Sequence, residues 1–299
     1  MKASVCLIQP PGYVHSLGLL EVCQLLCYSF ESLGWDCSLT TNSVERGRLN
    51  VVVGYHLLRP RDAAQLARAD CVFYQLEQLS FREGWFSAER EAVLRSARAV
   101  WDYSPENVAF LRARGFESLA LLPLGHHARM RRIEHRPEAD KDVDVLFYGS
   151  LNERRAALLD RLRSRCCVQS LFGVYGAERD AWVGRSRIVL NIHFYQAQIL
   201  EQVRLAYLLG NECFVVSEES TPNPMAEAVA SRPYGELPEL CLRYLGDAEA
   251  RREQAARGLH WMEQRPMAEL LGAALEGNAE RLDGAVRART DLAAQERRS

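Results

Sequence analysis

The sequence predicts an α/β protein with two Rossmann-like domains, each built around a doubly wound parallel sheet. Short apolar runs rich in Val, Ile, Leu and Phe alternate with segments of helical periodicity in both halves of the chain. This order is typical of buried parallel strands joined by helices. A charged stretch at 132–142, RIEHRPEADKD, interrupts the alternation and has the composition of an interdomain linker. We therefore expect two domains that face a central cleft.

Length and composition narrow the class of protein. The 299 residues fit two domains of about 150 residues each. A net charge of -2 gives no basic field, so the composition does not favour nucleic acid as a partner. No apolar run reaches the roughly 18 residues that a membrane span needs. The 9 cysteines lack the spacing of a zinc site, so we expect a reduced, cytoplasmic protein of undefined oligomeric state.

In the first half, apolar runs predict strands at 4–9, 35–40, 49–53, 71–74, 99–102 and 118–122. Helical spacing of apolar residues predicts helices at 19–33, 61–68, 88–97 and 105–115. The last helix has the clearest start signal, because Ser104 suits the N-cap, Pro105 the first helical position and Glu106 the first turn.

In the second half, largely unbroken apolar runs predict buried strands at 143–148, 188–192 and 213–217. Helices are expected after Asn152 and at 199–209, 239–245 and 248–259. The charged pattern at 267–299 predicts a helical segment that either packs back on the first domain or frays at its end. The predicted boundaries are 1–131 for the first domain, 143–262 for the second and 263–299 for this segment.

Small or polar residues end each predicted strand of the second half. Ligands of open parallel sheets bind outside the carboxyl ends of the strands, so these residues indicate a nucleotide-binding crevice. Gly149, Ser150 and Asn152 follow the strand at 143–148 and precede a helix. A glycine there lets the backbone approach a phosphate, and the N–H groups of a helix start favour anions. The alternative interpretation is an ordinary strand-to-helix turn.

Glu201 and Arg204 lie three residues apart on a predicted helix, so they share one face. The carboxylate can bind both hydroxyls of a ribose, and the guanidinium can bind diphosphate oxygens. The alternative is an intrahelical ion pair with little energetic effect. Four further residues follow predicted strands and complete the candidate nucleotide site, each with a structural role as its alternative: Gly173, Tyr175, His193 and Tyr195.

Titratable residues also follow the strands of the first half, where a general base could act: His15, His56, Glu77, His126 and His127. We select His15 and Glu77 as the candidate catalytic bases. The alternative for each is a solvated loop residue.

The motifs together resemble a known family. The second half of the chain resembles the spore-maturation-protein-like (CgeB-type) glycosyltransferases, which have the GT-B fold. The segments that carry this resemblance are DVLFYGSLNERR, SRIVLNIH and EQVRLAYLLGNECFVVSEE, followed by 234–245 and 251–258. The resemblance covers 142–261 well and 100–127 more loosely, through YSPENVAFLRARG and LPLGHH. It implies a nucleotide-diphosphate sugar held by the second domain and an acceptor that faces the first.

Residue by residue, the resemblance implies that Glu201 binds the ribose, that Arg204 binds the phosphates, and that Gly149 and Ser150 border the diphosphate. It also places His193 and Tyr195 near the nucleotide or sugar, with UDP as the expected nucleotide. Asp142-Val143-Asp144 matches the DxD metal motif of another glycosyltransferase class, but it precedes its strand, whereas a metal-holding pair should follow one. We therefore expect a transferase that needs neither a metal nor another cofactor.

The expected reaction moves a sugar to a hydroxyl of a polysaccharide, a protein or a small molecule. An inverting enzyme needs a base such as His15 or Glu77, whereas a retaining enzyme does not. Two alternatives remain open on the same fold: a protein that binds a nucleotide or nucleotide sugar without turnover, and a nucleotide-sugar epimerase, which needs no second substrate.

Overall fold

The computed structural model describes residues 1–59, 62, 63, 66, 71–79, 86–194 and 200–277. The chain forms two compact units. The first comprises residues 1–127 and the described residues from 266 onward, and the second comprises residues 128–265. Within the described residues, the first unit contains a parallel sheet of six strands and the second a parallel sheet of five, so the prediction of two parallel-sheet α/β domains is confirmed.

The first unit has the strand order β2-β1-β3-β4-β5-β6. Its strands are β1 (Lys2–Leu7), β2 (Asp36–Thr41), β3 (Leu49–Val53), β4 (Val72–Gln75), β5 (Ala99–Asp102) and β6 (Leu119–Leu121). All neighbouring pairs are parallel. The chain leaves β1 for β2 on one side and returns to β3 on the other, so the strand order reverses between β1 and β3.

Helices of the first unit follow the sequence signals closely. They are α1 (Leu20–Ser32), α2 (Ala88–Arg95) and α3 (Pro105–Ala113), together with α9 (Met267–Glu276) near the C-terminus. Ser104 caps α3 by accepting a hydrogen bond from the Asn107 backbone N–H, as the start signal predicts. Helix α9 packs against α1. The helix predicted at 61–68 and the segment beyond 277 lie largely or wholly outside the described residues.

The second unit has the strand order β11-β10-β9-β7-β8, again with parallel neighbours. Its strands are β7 (Val143–Tyr148), β8 (Val168–Leu171), β9 (Ser186–Asn191), β10 (Val215–Glu218) and β11 (Ala230–Arg232). Its helices are α4 (Glu153–Arg163), α5 (Gly176–Gly184), α6 (Gln202–Gly210), α7 (Leu237–Leu245) and α8 (Ala248–Glu263). The sequence did not predict β11, because the three residues of this edge strand carry no apolar run. The order of this sheet reverses between β7 and β9.

Residues 128–142, which include the linker predicted at 132–142, belong to the second unit and pack within it. The Asn211 side chain accepts hydrogen bonds from the backbone N–H groups of Arg132 and Ile133, at 2.6 and 2.9 Å, and donates to the Met130 carbonyl at 3.0 Å. The Arg136 N–H donates to the Gly184 carbonyl. These contacts make the charged segment an ordered part of the unit. No helix in the described ranges is long and apolar enough to cross a membrane.

Candidate functional site

The candidate site lies at the carboxyl edge of the second sheet, where the strand order reverses. Ligands of open α/β sheets bind at such a reversal, outside the carboxyl ends of the two strands that flank it. Here β7 ends next to Gly149 and β9 ends at Asn191. Helix α4 begins soon after β7, and α6 is the next described helix after β9. The topology therefore brings the predicted residues Gly149, Glu201 and Arg204 to one edge.

Two guanidinium groups converge over Gly149. The residue has a φ of 133°, which L side chains rarely adopt. A Cβ built at this position would lie 3.0 Å from Nη2 of Arg204 and 3.8 Å from Nη1 of Arg155. The glycine thus leaves room for two cations beside the backbone at the end of β7. The close approach of a ligand to the backbone at Gly149 stays a prediction.

Arg155, in the first turn of α4, was not among the residues predicted from the sequence, yet its side chain contacts several parts of this site. It is 2% exposed and donates to the carbonyl oxygens of Ser150 and Ile192 and to Oε1 of Glu201, the last at 3.0 Å. Burial lowers the pKa of this guanidinium, and the adjacent Glu201 carboxylate opposes that shift. Its side chain links the loops after β7 and β9 to the start of α6.

Glu201 lies between the two arginines. Its Oε1 accepts the hydrogen bond from Arg155. Its buried Oε2 is 3.2 Å from Nη1 of Arg204 and accepts no hydrogen bond from any described residue. Arg204 donates to Oδ1 of Asn191 at 3.1 Å, and its guanidinium lies 4.8 Å from the Tyr148 ring centroid. Two positive charges face one carboxylate, so the cluster keeps an excess positive charge suited to an anion.

The start of α4 adds to this anion-binding character. Asn152 is the N-cap, and its Oδ1 accepts a hydrogen bond from the Arg155 backbone N–H at 2.9 Å. Its Nδ2 donates to the Phe194 carbonyl at 3.1 Å, which fixes the loop after β9. The positive end of the helix dipole and the N–H groups of the first turn favour a negative group near Ser150.

His193 connects the ends of β9 and β10. It is 1% exposed, and its Nε2 lies 3.0 Å from Oγ of Ser220 and 3.2 Å from the Glu219 carbonyl. Its backbone N–H donates to Glu218, whose carboxylate pairs with Arg154. The buried Nδ1 of His193 has no hydrogen-bond partner among the described residues. Of the other candidates, Gly173 and Tyr175 lie in the loop after β8, and Tyr195 lies outside the described residues.

In the first unit, the structure pairs Glu77 with His56. Oε1 of Glu77 lies 3.5 Å from Nε2 of His56, which follows β3 at the reversal of that sheet. Burial lowers the pKa of His56, and the Glu77 carboxylate opposes that shift. His15 lies in a 3₁₀ turn (Val14–Leu19) after β1, with its ring 5.2 Å from that of Tyr13. Both candidate bases therefore follow strands at the carboxyl edge of the first sheet.

A buried polar network fixes the loop that carries Glu77. The Gln75 side chain bonds both the N–H and the carbonyl of Glu77, and Asn107 donates to the same carbonyl. Gln75 and Asn107 also donate to the carboxylate of Asp102, which is fully buried at the end of β5 and accepts a third bond from the Ser104 N–H. Burial raises the pKa of Asp102 to about 8.

This pKa shift predicts that the contribution of Asp102 to the free energy of unfolding falls as the pH rises. Between the unfolded pKa of about 3.9 and the folded value of about 8, the native protein keeps a proton that the unfolded chain releases. Asp102 therefore contributes a slope approaching about -1.4 kcal/mol per pH unit to the free energy of unfolding. Urea denaturation of the wild type and Asp102→Asn between pH 5 and pH 8 measures the difference in slope. Parallel pH profiles for the two proteins would contradict the assignment.

Asp142 and Asp144, the two carboxylates of the DxD match, make structural contacts. Asp142 pairs with Arg185, and Asp144 pairs with Arg187 and accepts a hydrogen bond from the Cys167 N–H. Within the part of the chain that the structure describes, no group of three or more His, Cys, Asp or Glu side chains could hold a metal ion.

Comparisons with known proteins establish the fold. No family model matches the chain. Over 171 residues it is 23% identical to uncharacterized protein L140 of Acanthamoeba polyphaga mimivirus, a match over 54% of this chain and 55% of that protein. The chain thus spans about half the length of this curated relative.

Among solved structures, TarM superposes with a TM-score of 0.56 and 9% identity, over 86% of this chain and 57% of TarM. AviGT4, a glycosyltransferase involved in avilamycin A biosynthesis, gives a TM-score of 0.54 and 14% identity, over 92% of this chain and 97% of AviGT4. The pneumococcal O-GlcNAc transferase GtfA, solved with UDP and GlcNAc, gives 0.54 and 8%, over 86% of this chain and 60% of GtfA. At these identities the likeness shows the fold: the chain has a GT-B, Rossmann-like architecture.

Proposed function

We propose that the protein is a glycosyltransferase that binds a nucleotide-diphosphate sugar at the carboxyl edge of its second sheet. The observation that carries the proposal is the convergence of Arg155 and Arg204 over Gly149, beside the first turn of α4. A diphosphate fits this arrangement because guanidinium groups and helix N–H groups both bind phosphate oxygens strongly. Glycosyltransferases among the similar folds support the choice, and the UDP bound to GtfA makes UDP the first nucleotide to test.

The residues of the candidate site have different roles in the proposed reaction. Arg204 and the N–H groups at the start of α4 stabilise the charge that develops on the leaving diphosphate, a preorganised electrostatic role. Glu201 orients both arginines, and we assign a ribose hydroxyl to its buried Oε2, which accepts no hydrogen bond from the residues that the structure describes. The arginine side chains balance the negative charge of the diphosphate. We therefore propose a transfer that is independent of metal ions and of other cofactors.

The acceptor in this proposal supplies a hydroxyl from a polysaccharide, a protein or a small molecule. If the reaction inverts the anomeric centre, Glu77 with its partner His56, or alternatively His15, removes the hydroxyl proton. If it retains the configuration, no such base acts. We further propose a cytoplasmic location, where nucleotide sugars are the available donors.

A ligand screen followed by product analysis tests the proposal. Thermal unfolding is measured with UDP, GDP, ADP, CDP, dTDP and their sugar conjugates, where a ligand at about 100 times its Kd adds about 2.7 kcal/mol of stability. Mass spectrometry then follows the stabilising nucleotide sugar with and without a mixture of hydroxyl acceptors. Release of the nucleoside diphosphate that requires an acceptor supports the transferase. A changed sugar without an acceptor indicates an epimerase, binding without turnover indicates a binding protein, and no binding rejects the nucleotide site.

A further inference from the structure

We propose that Tyr148 is a positioning residue for Arg204, whose guanidinium its ring holds in place for the diphosphate. This inference rests on the proposed nucleotide site and names the group that orients its phosphate-binding arginine. Tyr148 is the last residue of β7, directly before Gly149, and its ring centroid lies 4.8 Å from the Arg204 guanidinium. This distance is within the roughly 6 Å at which an aromatic ring attracts a cation.

The end of β7 carries one aromatic ring on each face of the strand. Successive side chains of a strand point to opposite faces, so Phe147 and Tyr148 lie on opposite sides of the sheet. The ring centroid of Phe147 is 5.3 Å from the Arg155 guanidinium, and Tyr148 lies beside Arg204. Each arginine that converges over Gly149 therefore has its own aromatic neighbour.

Arg204 depends on its ring more than Arg155 does. Among the described residues, the Arg155 guanidinium donates three hydrogen bonds, whereas that of Arg204 donates one, to Oδ1 of Asn191 at 3.1 Å. A long side chain with a single hydrogen bond loses more conformational freedom when it binds a phosphate. A ring that restricts the guanidinium beforehand reduces this loss, and without the ring the guanidinium is free to turn toward Glu201.

A second guanidinium lies near the same ring but has a carboxylate of its own. Arg179 of α5 lies 5.8 Å from the Tyr148 ring centroid, and its Nη2 donates to Oδ1 of Asp180 at 2.6 Å. The shorter contact of the ring is with Arg204. The attraction of a cation to the ring therefore acts mainly on Arg204.

Isothermal titration of UDP and of pyrophosphate into the wild type and the Tyr148 variants tests the inference. We expect Tyr148→Leu to weaken the binding of both probes by about 3- to 30-fold, the range of a partly desolvated cation–π contact. Both probes should be affected equally, because the ring acts through an arginine that binds phosphate. Tyr148→Phe keeps the ring and should preserve binding, whereas Tyr148→Met, a second variant without the ring, should reproduce the loss.

Tyr244→Leu is the matched control. Tyr244 belongs to α7 of the same unit, and its ring centroid lies 4.8 Å from the Arg243 guanidinium, the same separation as in the proposed pair. The control removes a half-buried tyrosine ring beside an arginine outside the candidate site, so it should bind UDP like the wild type.

A double-mutant cycle separates a positioning role from a structural one. In the Arg204→Ala background, Tyr148→Leu has no guanidinium to release, so it should change UDP affinity by less than about twofold. An equal loss in the wild-type and Arg204→Ala backgrounds would contradict the inference, because Tyr148 would then act on the fold of the site. An equal loss in Tyr148→Phe and Tyr148→Leu would contradict it as well, because the ring would not be sufficient.

The remaining outcomes separate this inference from the function on which it rests. Wild-type UDP affinity in Tyr148→Leu would overturn the positioning role and leave the nucleotide site intact. A loss confined to UDP would also overturn it, because the ring would then contact the nucleoside directly. A wild type that binds neither probe, nor GDP, ADP, CDP or dTDP, would reject the nucleotide site and the inference together.

Discussion

Arg204→Ala should weaken the binding of a nucleoside diphosphate by about 10- to 100-fold. A hydrogen bond to a charged group contributes about 1.5–3 kcal/mol, and each 1.4 kcal/mol changes affinity about tenfold. Arg204 lies 3.0 Å from the Cβ position of Gly149 and bonds Asn191 at the end of β9, so its guanidinium is already placed at the strand ends. Isothermal titration with UDP measures the effect, and Arg204→Lys shows how much of it depends on the planar fork of arginine.

Arg165→Ala is the control for that substitution. Arg165 is half exposed in the same unit and pairs with Glu239 on the surface, at 2.5 Å. Its removal eliminates one positive charge without touching the candidate site, so UDP affinity should change less than about twofold at ordinary salt. If Arg204→Ala binds UDP as well as Arg165→Ala does, the assignment of the phosphate site is wrong.

Gly184→Ala should destabilise the second unit by about 3 kcal/mol or more, as expected when an added methyl group meets rigid backbone. A Cβ at this position would lie 2.1 Å from the Glu134 carbonyl oxygen. The Gly184 carbonyl also accepts the hydrogen bond from the Arg136 N–H, so any shift of the 128–142 segment breaks that bond. In an open helical site the same change would stabilise by about 1 kcal/mol.

Gly235→Ala provides the matched glycine control. No atom lies within 4 Å of the Cβ position of Gly235, so we expect a change within about 1 kcal/mol. Urea denaturation, followed by circular dichroism, gives the free energy of unfolding for both variants. Equal stability of the two variants would show that residues 128–142 do not pack against Gly184 as described.

Local sequence signals were enough to predict most strands of the two sheets and several residues at the carboxyl edge of the second sheet. The strand at 143–148, the strand Leu49–Val53 and the capped helix that follows Ser104 agree with the structure because each depends on contiguous residues. Gly149 and Arg204 could be selected because strand ends and helix faces follow from periodicity alone. Local signals did not predict β11, because its three residues form an edge strand only by pairing with β10.

Contacts between distant residues could not be predicted from the sequence. Arg155 becomes a site residue through the Ile192 carbonyl and Glu201, which lie 37 and 46 positions away. Asn211 organises residues 130–133 from about 80 positions away. One local signal did concern Arg155, the second arginine in NERR. It lies three residues after the N-cap Asn152, and this spacing places it in the first turn of α4. Pairing of Glu77 with His56 likewise needed the sheet order.

Hydrogen–deuterium exchange with and without saturating UDP tests the central claim most directly. The first N–H groups of a helix have no partner within the helix, so a bound diphosphate protects them. We predict slower exchange in peptides that cover 149–155 and 201–206, and little change at 235–245. Protection confined to residues 1–127, or no protection with any nucleoside diphosphate, would contradict a nucleotide site at the carboxyl edge of the second sheet.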